Sequence, residues 1–140
     1  MKMKTKKISG LMILFAVLVI ILVEGCKKYP DGPLISFRSR TERVSQTWKI
    51  DNYHENGVDL TSLMGGYTET YTKSGNYSYS WGVLNGTGTW AFQNSDANIQ
   101  LTGISNQKTY TLVILKLEQT EFWYYYMDGS NKKEFHMIQN

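Results

Sequence analysis

The sequence predicts an all-β domain, an eight-stranded antiparallel up-and-down barrel behind an N-terminal signal peptide. Three observations predict it. From Val44 onward, short stretches rich in Tyr, Trp, Thr and Ile recur at regular spacing, as in a sandwich or barrel. Between them stand clusters of Asn, Gly, Asp and Ser, which supply the positive φ angles that tight hairpins need. Consecutive strands joined by so few residues must be antiparallel neighbours, because a parallel connection needs a crossover of a dozen or more residues.

The predicted strands are 47–54, 67–72, 76–81, 87–92, 98–102, 108–117, 121–127 and 133–138. Turns are expected at Glu55-Asn56-Gly57, Lys73-Ser74-Gly75-Asn76, Leu84-Asn85-Gly86, Asn94-Ser95-Asp96, Ser105-Asn106-Gln107 and Asp128-Gly129-Ser130-Asn131. The stretch 58–66 is a longer first loop whose Leu60, Leu63 and Met64 can fold over an open end. Alternation assigns faces: Trp48 and Ile50 oppose Thr47, Lys49 and Asp51, and Tyr77, Tyr79 and Trp81 oppose Ser78 and Ser80. Trp90 with Phe92, and Ile99 with Leu101, continue the pattern. Residues 110–127 break it, being apolar on both faces, and Leu34, Ile35 and Phe37 are the expected cover for the second face.

The N-terminus reads as an address. Residues 1–7 are basic and 8–23 apolar, too short for a comfortable membrane span of ~20 residues, so residues 1–25 form a signal peptide. Val23-Glu24-Gly25-Cys26 resembles a bacterial lipobox, which makes Cys26, the only cysteine, the lipidation site. At ~0.8 kcal/mol per buried CH₂, two or three acyl chains would hold the protein on a membrane. Residues 26–43 are the lipidated cysteine, a tether and a short lead-in segment; residues 44–140 are the barrel. The tether, with both prolines, should be extended and exposed, and Ser36 or Ser39 should cap a short helix that plugs one end. Lys27, two places after the glycine, favours delivery to the outer membrane by resemblance to bacterial sorting rules; which face is left open.

Removing the address changes the charge. The net +3 comes entirely from Lys2, Lys4, Lys6 and Lys7 against Glu24, so the 115 residues from Cys26 onward are neutral. A neutral domain has no basic stripe for phosphates, which excludes nucleic acid. Its length suffices for one domain with its own core. With a single cysteine, no internal disulfide can hold it. His54 and His136 read as ordinary surface or edge histidines, and no metal site or cofactor is expected. The chain contains no HExxH, CxxC, phosphate-binding Gly-rich loop or GxSxG, so no enzyme is expected.

The stretch Val44-Ser45-Gln46-Thr47-Trp48-Lys49-Ile50, then Gly88-Thr89-Trp90 with Ile99-Gln100-Leu101, then Tyr110-Thr111-Leu112 through Leu115-Lys116-Leu117 into Phe122, resembles the small lipocalin-like lipoproteins of Bacteroidetes-type bacteria. In that resemblance Trp48 is the structural first-strand Trp that packs across the barrel floor against a basic residue, and Gln46 stands where lipocalins have Gly. The resemblance implies an eight-stranded lipocalin-like barrel. Such a barrel fills its interior or holds one small ligand. Strands of about six residues and many inward Trp and Tyr predict a filled interior rather than a roomy cup; a partial cavity would suit an amphipathic or aromatic molecule.

The expected function is a membrane-anchored module binding a small hydrophobic or amphipathic ligand at the barrel mouth, with Tyr79, Trp81, Trp123 and Tyr125 as candidate ligand-binding residues. The alternatives are an accessory envelope lipoprotein that docks a protein partner, and a glycan-binding module. The membrane is the one partner expected with any address; a protein partner is unspecified.

Overall fold

The computed structural model describes residues 29–31, 37–104 and 108–140. The signal peptide, Cys26, Leu34 and Ile35 lie outside them. The strands are β1 (Thr47–Glu55), β2 (Val58–Asp59), β3 (Thr68–Tyr71), β4 (Asn76–Trp81), β5 (Leu84–Gln93), β6 (Asn98–Thr102), β7 (Thr109–Leu117), β8 (Glu121–Asp128) and β9 (Asn131–Gln139). Each strand from β3 to β8 pairs antiparallel with the next, and β1 pairs with both β3 and β9, which closes an eight-stranded up-and-down barrel. The additional β2 is a two-residue return arm on the end of β1, turned by Asn56 and Gly57 at φ 52° and 81°, the pair of positive angles a two-residue hairpin favours.

One turn differs from expectation. Trp81 pairs with Leu84, so the β4–β5 hairpin turns at Gly82-Val83, with Gly82 at φ 58°, and Asn85 and Gly86 lie inside β5. Glycine first in a two-residue loop matches the strand twist without strain. Gly86 and Gly88 then share the face of Trp90 and Phe92, the inner face, by strand alternation. A Cβ on Gly86 would overlap Cε1 of Tyr79, and one on Gly88 would overlap the Thr102 carbonyl oxygen. The glycines strip side chains from part of the inner wall.

The lower end is packed solid. Helix α1 (Arg40–Val44) starts at Ser39, whose Oγ accepts from Glu42 N at 3.2 Å while Glu42 Oε2 accepts from Ser39 N at 3.1 Å, a capping box. Trp48 Nε1 donates to the Val44 carbonyl at 3.0 Å, and Arg43 Nη1 to the Leu117 carbonyl at 2.7 Å. Gln46 Nε2 donates to the Arg43 and Gln119 carbonyls at 3.0 and 2.7 Å, tying the helix end to the β7–β8 turn. Above the helix, Trp48, Tyr71, Trp90 and Phe122 fill the barrel, with ring centroids 5.6 to 5.9 Å apart. Tilted and edge-on rings at such spacings add to their burial.

In the tether, Pro30 and Asp31 are exposed as expected and Tyr29 is not. Tyr29 is 3 % exposed, its hydroxyl donates to the Asp96 carbonyl at 2.8 Å, and Asp31 N donates to the Leu115 carbonyl at 3.1 Å. Leu115 lies at the irregularity where β7 pairing with β8 skips from Ile114 to Lys116; such a bulge leaves a residue outside the ladder, and the tether binds it. Phe37, an expected cover for the outer face of β7 and β8, is instead fully exposed. That face is dressed by neighbouring strands: His136 stacks on Trp123 at 4.2 Å, Lys116 Nζ lies 4.4 Å from the Trp123 ring centroid, and Lys132 Nζ lies 4.5 Å from that of Tyr125. Long basic side chains cover apolar surface with their stems.

Candidate functional site

The upper half of the barrel is hollow. A cavity of about 450 Å³ lies above the packed floor, within the range of small-molecule sites. The interior is thus filled below and open above, where a filled interior was expected. Gly86 lets the Tyr79 ring, and Gly88 the Thr102 carbonyl and Ile104, pack closely against β5, and Tyr79 and Ile104 line the cavity there. Leu60, Leu63 and Met64, on and beside the 3₁₀ turn Thr61–Met64, line the upper edge, and Leu63 is 62 % exposed there, so the cavity meets the surface. Val58, Val83, Leu84 and Met127 are exposed on the same end of the barrel, giving it an apolar rim.

At the boundary between floor and cavity sits Glu69 on β3, 2 % exposed. Four tyrosine hydroxyls donate to its carboxylate: Tyr67 at 2.6 Å, Tyr77 at 2.9 Å and Tyr124 at 2.8 Å to Oε1, and Tyr71 at 2.9 Å to Oε2. Tyr67, Tyr77 and Tyr124 line the cavity together with Glu69, while Tyr71 belongs to the packed floor. Burial pushes the Glu69 carboxyl up from its ordinary value, and the four donors pull it part of the way back. Burial, and then the charge of Glu69, holds the hydroxyls of Tyr67, Tyr71, Tyr77 and Tyr124 well above the usual tyrosine range. These phenols stay protonated and act as donors.

Glu69 carries a local sequence signal that alternation alone passes over. In Tyr67-Thr68-Glu69-Thr70-Tyr71, tyrosines flank the acid on one face and threonines occupy the other. An acid in the middle of an aromatic inner face has to find hydrogen-bond donors there.

The four candidate ligand-binding residues divide between two surfaces. Tyr79 and Trp81 on β4 line the cavity, each about 6 Å from Tyr67, with centroids at 6.2 and 6.5 Å. Trp123 and Tyr125 lie on the outer face of β8, since Phe122 and Tyr124 take the inner positions. Trp48 stands in the floor, opposite Glu69 in the β1–β3 register. Tyr53, at the rim, donates to Glu55 Oε2 at 3.1 Å and is pushed up to about 12 by burial and by Glu55.

The histidines meet on the outer surface. His54 and His136 approach edge to face at 6.1 Å, and Glu134 Oε1 lies 2.9 Å from His136 Nε2. Among the described residues, no group of three or more His, Cys, Asp and Glu is placed to hold a metal ion.

No protein-family model matches this chain, and a search of curated proteins finds no significant match. The barrel and its cavity carry the functional reading.

Proposed function

We propose that this chain is a membrane-anchored, lipocalin-like lipoprotein of the cell envelope that binds a small amphipathic molecule in the upper half of its barrel. The observation that carries this reading is the cavity of about 450 Å³, walled by aromatic and aliphatic side chains, open at one end and closed below by a buried, hydrogen-bonded acid. A concave, mostly apolar site with a few convergent polar groups is the usual form of a small-molecule site. Fully occupied by side chains, the same barrel would have nothing to carry.

Acylation of Cys26 supplies the anchor in this proposal, with delivery to the outer membrane. The place of Tyr29 supports a definite orientation. Tyr29 is held against Asp96 in the β5–β6 turn, at the packed end. Three residues of chain reach at most ~10 Å, so an acylated Cys26 would hold the floor beside the membrane with the cavity mouth turned away.

The test is native mass spectrometry of the mature protein released from its own envelope. A co-purifying small mass that dissociates on activation is expected; protein free of any such mass at every release condition would count against a carrier. For the anchor, Cys26→Ala should leave the membrane fraction, and a variant that still sediments with membranes would contradict acylation.

A further inference from the structure

Around Glu69, and at Tyr53 on the rim, the cavity is lined by hydroxyls whose protons are already committed. Tyr67, Tyr77 and Tyr124 donate to Glu69 Oε1, and at the rim Tyr53 donates to Glu55 Oε2. All four tyrosines and both glutamates line the cavity. A phenol has one proton and two lone pairs. Once its proton points at a carboxylate, only lone pairs remain for an incoming molecule. A ligand that brings donors is matched there, and a ligand that brings further acceptors is not.

Charge points the same way. The ionisable acids and bases of the lining are Glu55, Glu69 and Lys133, and the Lys133 ammonium is held 2.8 Å from Asp128 Oδ2. None of the ion pairs among the described residues includes Glu69. A buried carboxylate served by neutral donors alone still lacks a counter-charge. Beside it, Tyr67, Tyr79 and Trp81 cluster with centroids 6.2 and 6.5 Å from Tyr67, and aromatic faces attract a cation within ~6 Å.

We propose that the ligand is an amphipathic amine. Its ammonium group meets the phenol oxygens above Glu69, and its apolar body lies among Leu101, Leu112 and Phe135, which line the same space. This assignment rests on the carrier reading of the cavity. Around Glu69 the same lone pairs disfavour carboxylates and phosphate esters of equal size.

Three probes on one frame test it: phenylpropylamine, phenylpropanol and phenylpropionate, titrated calorimetrically into the full chain held in lipid nanodiscs, with empty nanodiscs subtracted. The amine should bind about tenfold or more tighter than the carboxylate, with the alcohol between them. In Glu69→Gln the amine's advantage over the alcohol and the carboxylate should shrink to about twofold or less. Binding of the carboxylate or alcohol as tightly as the amine would overturn the amine assignment and leave a carrier standing. Binding of none of the three would overturn both.

Discussion

Tyr124 on β8 reaches across the barrel to Glu69 on β3, its hydroxyl donating to Oε1 at 2.8 Å over a sequence separation of 55 residues. Strands β9 and β1 stand between them in the ring. The contact therefore spans the interior and divides it into a packed floor and a cavity. Because the acid also holds Tyr67, Tyr71 and Tyr77, one carboxyl group fixes four ring positions.

Replacing that carboxyl should reveal its structural share. Glu69→Leu leaves four buried hydroxyls without their acceptor, and we expect a loss of about 2–4 kcal/mol. Glu69→Gln keeps the shape and one acceptor oxygen, enough for the three hydroxyls that share Oε1, and should lose about 1 kcal/mol. Urea unfolding monitored by tryptophan fluorescence measures both. Equal stability of Glu69→Leu and the parent chain would show that the phenols re-pair among themselves.

The pH dependence of stability has a definite sign. The folded-state value of Glu69 is raised above the ordinary 4.5, so between the two values the folded chain binds the proton and the unfolded chain does not. By linkage, this group's contribution is most favourable below the unfolded value and falls as pH rises through the folded value. Glu42, Asp59, Asp128 and Glu134 are shifted downward and act in the opposite sense, so the parent curve alone does not isolate Glu69. The difference between parent and Glu69→Gln does. The parent should lose stability relative to the variant as pH rises above about 4.5, and a flat difference would contradict a raised value.

Gly88 and Gly86 should respond differently to alanine. At Gly88 the new methyl meets the Thr102 carbonyl, a backbone atom held in the β5–β6 ladder, so the strands must move apart and we expect a cost of about 1–3 kcal/mol. At Gly86 it meets the Tyr79 ring, which can swing into the cavity. Gly86→Ala should cost less stability and more ligand affinity. Thermal unfolding and probe titration, run on both variants, check the contrast.

Trp81 and Trp123 separate the inner from the outer aromatic surface. Trp81→Ala should weaken binding of phenylpropylamine about fivefold to tenfold by removing one ring of the cavity wall. Trp123→Ala, which loses its stack on His136 and its contact with Lys116, should change affinity by less than about twofold. A reversal would place the ligand on the outside of the barrel.

The strands and their order were legible because alternation and turn residues agree nearly everywhere, as at Tyr77, Tyr79 and Trp81 between serines. Where both faces are aromatic, alternation still gives two faces but not which one is inside. In Phe122-Trp123-Tyr124-Tyr125, the floor contacts of Phe122 with Trp48 and Tyr71 decide it, and those partners are far away in sequence. Bulges add to the difficulty: buried positions in β7 run Leu112, Ile114, then Leu117, a skip that period-two reading cannot foresee. Asn85-Gly86 reads as a turn by composition, yet the chain turns at Gly82 and Gly86 lies inside β5 against the Tyr79 ring. Glu69 was hidden because Tyr124 comes from a distant strand, although the tyrosines beside it in β3 were in view.

The most direct measurement is two-dimensional NMR of the isotopically labelled chain, titrated with phenylpropylamine and observed at the aromatic side chains. The rings of Tyr67, Tyr77, Tyr79 and Trp81 should shift together along one saturable curve, with Trp123 and Tyr125 unmoved. Saturable shifts confined to Trp123 and Tyr125, or no saturable shift at any of the six, would contradict a ligand held in the barrel above Glu69.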